Sequence, residues 1–110
     1  MQAVQLIETT GPDGLRLVDI PEPDAGGTGA VIVDLHAAGV SFPPDLLQTS
    51  GAYQVVRPLP FVLGVEGAGV VRSAPTDSGL AAGQRVAVLA TGGAWQETVA
   101  VDANSVFPPL

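Results

Sequence analysis

The 110-residue chain has no cysteine, no lysine and a single histidine, His36. Each absence removes a class of chemistry. Without thiols there is no disulfide and no cysteine nucleophile, and neither a four-ligand structural zinc site nor a three-ligand catalytic one can be built in the usual way. A Ser/His/Asp triad would have to use His36. Without lysine there is no G-K-[ST] phosphate loop. Four arginines against eleven acids leave a net charge of -7. No basic face is therefore available for nucleic acid, and anionic membrane surfaces are disfavoured by the same argument. No run approaches about 18 consecutive apolar residues, and the opening MQAVQLIETTG lacks the basic n-region and apolar core of a secretory signal. The expectation is a cytoplasmic protein with neither nucleic acid nor membrane as partner.

What is present points to one buried domain. Hydrophobic residues make up 46% of the chain and charged ones 14%, and a chain this long buries roughly 65% of the surface that its unfolded form exposes. The 14 glycines and 10 prolines are scattered as turn punctuation between apolar segments. Residues 3–8 and 15–20 read as a hairpin around the turn TTGPDG, and residues 21–29 as a loop. Residues 30–38 alternate with period two and form the longest strand candidate, placing His36 on the face of Asp34, opposite the valines, as an ordinary strand histidine. Pro43 and Pro44 postpone any helix to about residue 44. Asp45 suits its positive end and Gly51 its left-handed stop, giving one short helix. Residues 61–74 read as one long glycine-interrupted strand, followed by strands over 83–90 and 93–102 and an extended exit over 105–110. Many short strands with one helix predict a mainly β protein, a Greek-key β-barrel.

The segment LGVEGAGVV, residues 63–71, sets one carboxylate, Glu66, among glycines and valines. A dinucleotide fingerprint requires G-x-G-x-x-G between a strand and a helix. Here the third glycine is missing, and Val70, Val71 and Pro75 leave no room for a helix. A carboxylate on a buried strand needs a partner. Arg57, Arg72, Arg85 or backbone N–H groups could supply it, and Glu66 is either a satisfied structural residue or one that lines a cleft.

The succession AAGVSF, D, GAY, LPFVLGVEGAGVV, GQRVAVL and GAWQETVAV resembles the N-terminal, GroES-like domain of the medium-chain dehydrogenase/reductase superfamily, and in particular its zinc-independent quinone oxidoreductase branch. The likeness runs from the first strand to the last residue. Ser41 stands where the zinc enzymes carry a cysteine ligand, and Val65 where they carry a histidine, so no metal is expected. By resemblance, Ser41 and Phe42 lie at the base of the nicotinamide and substrate cleft, Tyr53 faces it, and Glu66 borders it. Two features depart from the family pattern: Asp45 follows Phe42 by one residue more than usual, and Gln84 replaces the aspartate of G-D-R-V.

The resemblance implies NADPH-dependent hydride transfer to a quinone or enone. Ser41 and Tyr53 would be the catalytic and cofactor-binding groups, Phe42 would bind cofactor and substrate, and Glu66 would line the substrate cleft. It also implies that the dinucleotide-binding domain lies outside residues 1–110, so that this chain alone is inactive and its exposed cleft face supports self-association. The alternative is a non-catalytic, self-standing binding or interaction module derived from the same domain. Nothing in the sequence favours a ring-forming co-chaperonin.

Overall fold

The computed structural model describes residues 1–24, 29–41, 44–52, 58–90 and 92–109. In chain order these form β1 (Gln2–Leu6), β2 (Leu15–Asp19), β3 (Val31–Ala38), the helix α1 (Pro44–Thr49), β4 (Phe61–Val62), β5 (Glu66–Ser73), β6 (Arg85–Leu89), β7 (Thr98–Val101) and β8 (Val106–Phe107). The strands make two antiparallel sheets, of order β2-β1-β4 and β7-β3-β5-β6-β8. The mainly β architecture with one short helix agrees with the sequence.

The core follows from valine alternation. Val31 and Val33 of β3, Val71 of β5, Val86 and Val88 of β6 and Val99 of β7 bury their side chains together on one face of the larger sheet, where β-branched residues pack well on a pleated surface. The helix starts at Pro44 and stops before Gly51, which adopts φ +75°, as expected for a left-handed stop. It is held to the β1–β2 turn by Gly11 N–H donating to the Thr49 carbonyl at 3.0 Å.

Two expectations about strands change. Residues 61–74 are two strands, not one, because the chain turns at Gly64, whose φ of +101° only glycine adopts readily. Beside this turn, Trp95 N–H donates to the Leu63 carbonyl at 2.9 Å and Ala94 N–H to that of Gly64 at 3.1 Å. The strand expected over 93–102 likewise shrinks to β7, because residues 93–97 bond to several neighbours in turn. Val4 N–H donates to the Trp95 carbonyl at 2.8 Å, Glu97 N–H to that of Gln2 at 3.1 Å, and Leu35 N–H to that of Glu97 at 2.8 Å. These bonds and the Ala3–Gln96 bridge join the two sheets, which among the described residues do not close into one continuous ladder.

The β3–β5 ladder also shifts register twice. Arg72 is skipped between the pairs Ile32–Ser73 and Val33–Val71, and His36 between Leu35–Gly69 and Ala37–Ala68. The second shift takes His36 out of the simple alternation that would have aligned it with Asp34. Gly69 sits opposite this shift, and a side chain there would overlap the Asp34 carbonyl.

Candidate functional site

Where β3 ends, the chain turns through Gly39 and Val40 into Ser41 and then α1. This corner is tied down from several sides. Gly39 N–H donates to the Glu66 carbonyl at 3.0 Å, and the Trp95 indole Nε1 donates to the Gly39 carbonyl at 2.9 Å. Ser41 N–H donates to Asp45 Oδ2 at 2.7 Å, while Asp45 N–H donates to the Ser41 carbonyl at 3.0 Å. This is the reciprocal logic of a capping box stretched from the usual three-residue spacing to four. Asp45 is buried, and among the described residues its Oδ1 has no hydrogen-bond partner; neither has Oε1 of buried Gln48.

With its backbone so fixed, Ser41 directs its hydroxyl at Glu66, and Oγ donates to Glu66 Oε1 at 3.3 Å. Ser41 and Glu66, 25 residues apart in sequence, are thus brought together. Gly39 is what makes room: a side chain there would collide with the Glu66 carboxylate. Phe42 and Tyr53 lie outside the described residues, as does Arg57.

Glu66 differs from a buried strand carboxylate. It is exposed, β5 is exposed or half-buried at every position before Val71, and no arginine pairs with Glu66 among the described residues. Arg72 is engaged elsewhere, with Nη2 at 2.7 Å from Asp34 Oδ1 and Nη1 at 3.3 Å from Glu22 Oε2. The buried Thr98 hydroxyl donates to Asp34 Oδ1 at 2.9 Å. The Arg72 guanidinium, together with this hydroxyl, holds the Asp34 carboxyl below its ordinary range, and the Arg72 pKa is raised in return, first by Asp34 and then by Glu22. Beside Glu66 opens a groove of about 400 Å³, lined among others by Ala38, Gly39, Ala68, Val88 and Leu89. Its walls are apolar, with the Glu66 carboxylate at the rim.

Among the described residues no group of three or more His, Asp or Glu side chains could hold a metal. No helix among them is long and apolar enough to cross a membrane. Sequence reasoning missed Trp95 and Gly39 as parts of the site. Gly39 carried a signal, a glycine directly after a strand, whereas nothing in GAWQETV ties Trp95 to residue 39.

Residues 27–109 match the alcohol dehydrogenase GroES-like domain, and the chain belongs to that family. Similar solved structures include a probable oxidoreductase from Mycobacterium abscessus, at 46% identity and TM-score 0.93 over 98% of this chain and 34% of that one. The quinone oxidoreductase of Thermus thermophilus, solved also in complex with NADPH, shows 36% identity and TM-score 0.81 over 100% of this chain and 32% of that one. The human synaptic vesicle membrane protein VAT-1 homolog is 40% identical over 99 residues, or 88% of this chain and 25% of the relative. The chain thus spans a quarter to a third of the length of the relatives it matches. The resemblance to the quinone oxidoreductase branch is borne out.

Proposed function

We propose that this domain is the substrate side of an NADPH-dependent, zinc-independent reductase of quinones or enones, with the nucleotide held mainly by a dinucleotide-binding domain outside residues 1–110. The observation that carries the reading is the hydrogen bond from Ser41 to Glu66, a residue that lines an apolar groove, in a chain whose solved relatives include an NADPH-complexed quinone oxidoreductase. Such a rim suits a flat, uncharged, amide-bearing ring, and a reduced nicotinamide there would supply a hydride.

The chain's own residues then have distinct tasks. With its O–H donating a hydrogen bond to Glu66, Ser41 Oγ presents lone pairs that accept from an amide N–H and orient the ring. Tyr53 would donate its phenol proton in a hydrogen bond to the substrate oxygen, where negative charge develops as the electron-poor carbon is reduced. Phe42 would pack against both ring systems. Ala38, Ala68 and Leu89 line the groove without competing hydrogen bonds and exclude water. The reading includes a small-molecule quinone or enone substrate, no metal, and no nucleic-acid or membrane partner. It also includes a cytoplasmic location, since a chain without cysteine gains no disulfide from an oxidising compartment. Leu89, which lines the groove at 55% exposure, and Val40, next in the chain to Ser41 at 82%, support self-association through this face when it is uncovered.

The test is NADPH oxidation driven by a simple benzoquinone. A protein carrying this domain together with its dinucleotide-binding partner should turn over, and Ser41→Ala and Tyr53→Phe should each lower kcat by about tenfold or more. The 110-residue chain alone should not turn over. Saturable turnover by the chain alone, or full activity in both variants, overturns the assignment. Quinone and NADPH left untouched by the longer protein would favour the non-catalytic module.

A further inference from the structure

The strand register brings residues of distant sequence into rows on the sheet face opposite the valine core. Ala37, Ala68, Ala87 and Phe107 form one row across β3, β5, β6 and β8, and Asp34, Val70 and Arg85 form the next. Because three members of the first row are alanines, the larger side chains around them enclose a groove of about 420 Å³, lined also by His36, Val70, Arg85 and Pro108. It is distinct from the groove at Glu66, although both share the alanine floor.

The charges of this groove are unusual for so acidic a chain. No aspartate or glutamate lines it. Asp34, in the row that ends at Arg85, is already neutralised by Arg72 at 2.7 Å. Among the described arginines, Arg16 donates to the carbonyls of Asp13 and Leu15 at 2.7 and 2.8 Å, and Arg72 is paired with Asp34 and Glu22. Of these three, only the Arg85 guanidinium makes no ion pair or hydrogen bond among the described residues, and it stands at the edge of an apolar groove that the His36 imidazole also lines from β3, two strands away across β5.

We infer that this groove binds a small apolar carboxylate, such as a medium-chain fatty-acid anion, with its head on Arg85 and His36 and its tail along the alanine floor against Phe107. A guanidinium engages a carboxylate through two parallel N–H bonds. The volume lies in the range of small-molecule sites, and the groove is too apolar for a hydrophilic anion to gain much by entering it. This inference is independent of the reductase reading and is tested without NADPH or quinone.

Sodium decanoate, kept below its micelle concentration, is titrated into the 110-residue chain and followed by amide chemical shifts and calorimetry, with decanol and acetate as probes lacking the charge or the tail. Saturable binding of decanoate with shifts at His36, Arg85, Ala87 and Phe107 is expected. It should be at least about tenfold tighter than that of decanol, with acetate not binding. Arg85→Gln should remove the preference for decanoate over decanol, Arg85→Lys should restore part of it, and Ala87→Leu, at an exposed position, should weaken both ligands by filling the floor. Equal affinity for decanoate and decanol overturns the inference, as do shifts confined to the Ser41–Glu66 end or no binding at all. Binding of a peptide through its C-terminal carboxylate in preference to decanoate would show a protein-recognition site instead, and equally overturn it.

Discussion

Substituting Gly64 tests the corner on which the two sheets turn. Its φ of +101° places an alanine in the left-handed region, at a cost of about 1–2 kcal/mol. The new methyl would also overlap Trp95 Cδ1 and stand 2.8 Å from the Trp95 backbone nitrogen and 3.0 Å from Ala94 Cβ. Those contacts are mostly backbone or buried side chain, so overpacking adds about 1–3 kcal/mol. Gly64→Ala should therefore destabilise the domain by about 2–5 kcal/mol, a large part of the 5–15 kcal/mol typical of a folded domain. Gly79→Ala is the control: φ is +77°, but nothing lies within 4 Å of the added carbon, so only the backbone cost applies. Urea denaturation followed by the emission of Trp95, the single tryptophan, reports both variants. Equal midpoints for the two, or a Gly64→Ala loss below about 1 kcal/mol, would refute the close approach of residues 64 and 95.

At Gly39 the added methyl would meet only the flexible end of Glu66, so Gly39→Ala should cost less than about 1 kcal/mol while displacing the carboxylate from Ser41. Chemical shifts of residues 39–41 and 66, set beside a melting curve, check both halves. Tyr53→Ala should leave stability nearly unchanged; a loss above about 3 kcal/mol, the range for truncating a core aromatic, would place Tyr53 in the core and remove it from the cleft. The Asp34 carboxyl is held below its ordinary value of 3.8, so its pairing stabilises the fold fully above that pH and is lost as pH falls through the lower folded value. Both partners are about two-fifths exposed, so solvent screening limits the effect to less than about 1 kcal/mol. Asp34→Asn should flatten the acid limb of stability by that small amount, more visibly at low salt. Chelators should leave Tm unchanged; a chelator-induced fall would reveal a bound metal.

The valine face was legible because Val31 and Val33 alternate with residues that point the other way. Helix start and stop were legible because Pro44 and Gly51 act through their own backbone restrictions. The break at Gly64 was hidden, since FVLGVEGAGVV is apolar on both sides of it and the glycine's role depends on Trp95, far along the chain. Periodicity could not reveal the register shift at His36, which comes from β3 accommodating Gly69 of another strand. For Glu66 the sequence posed the question of a partner; the answer, a serine hydroxyl on an open rim, required the turn that brings residue 41 back.

The seam at residues 94–97 has a kinetic consequence. β1 leaves the ribosome before the other strands of the domain, yet it is tied to Trp95, Gln96 and Glu97 and to β4 at Phe61 and Val62. Translation at about 5–20 residues per second leaves roughly 5–20 s between the synthesis of β1 and that of its last partners. Until β4 is made, the β1–β2 hairpin is an isolated two-stranded unit, marginal in water, and even then it lacks the bonds of residues 94–97. Productive folding is consequently a late event dominated by sequence-distant pairings, the topology expected of a slow folder.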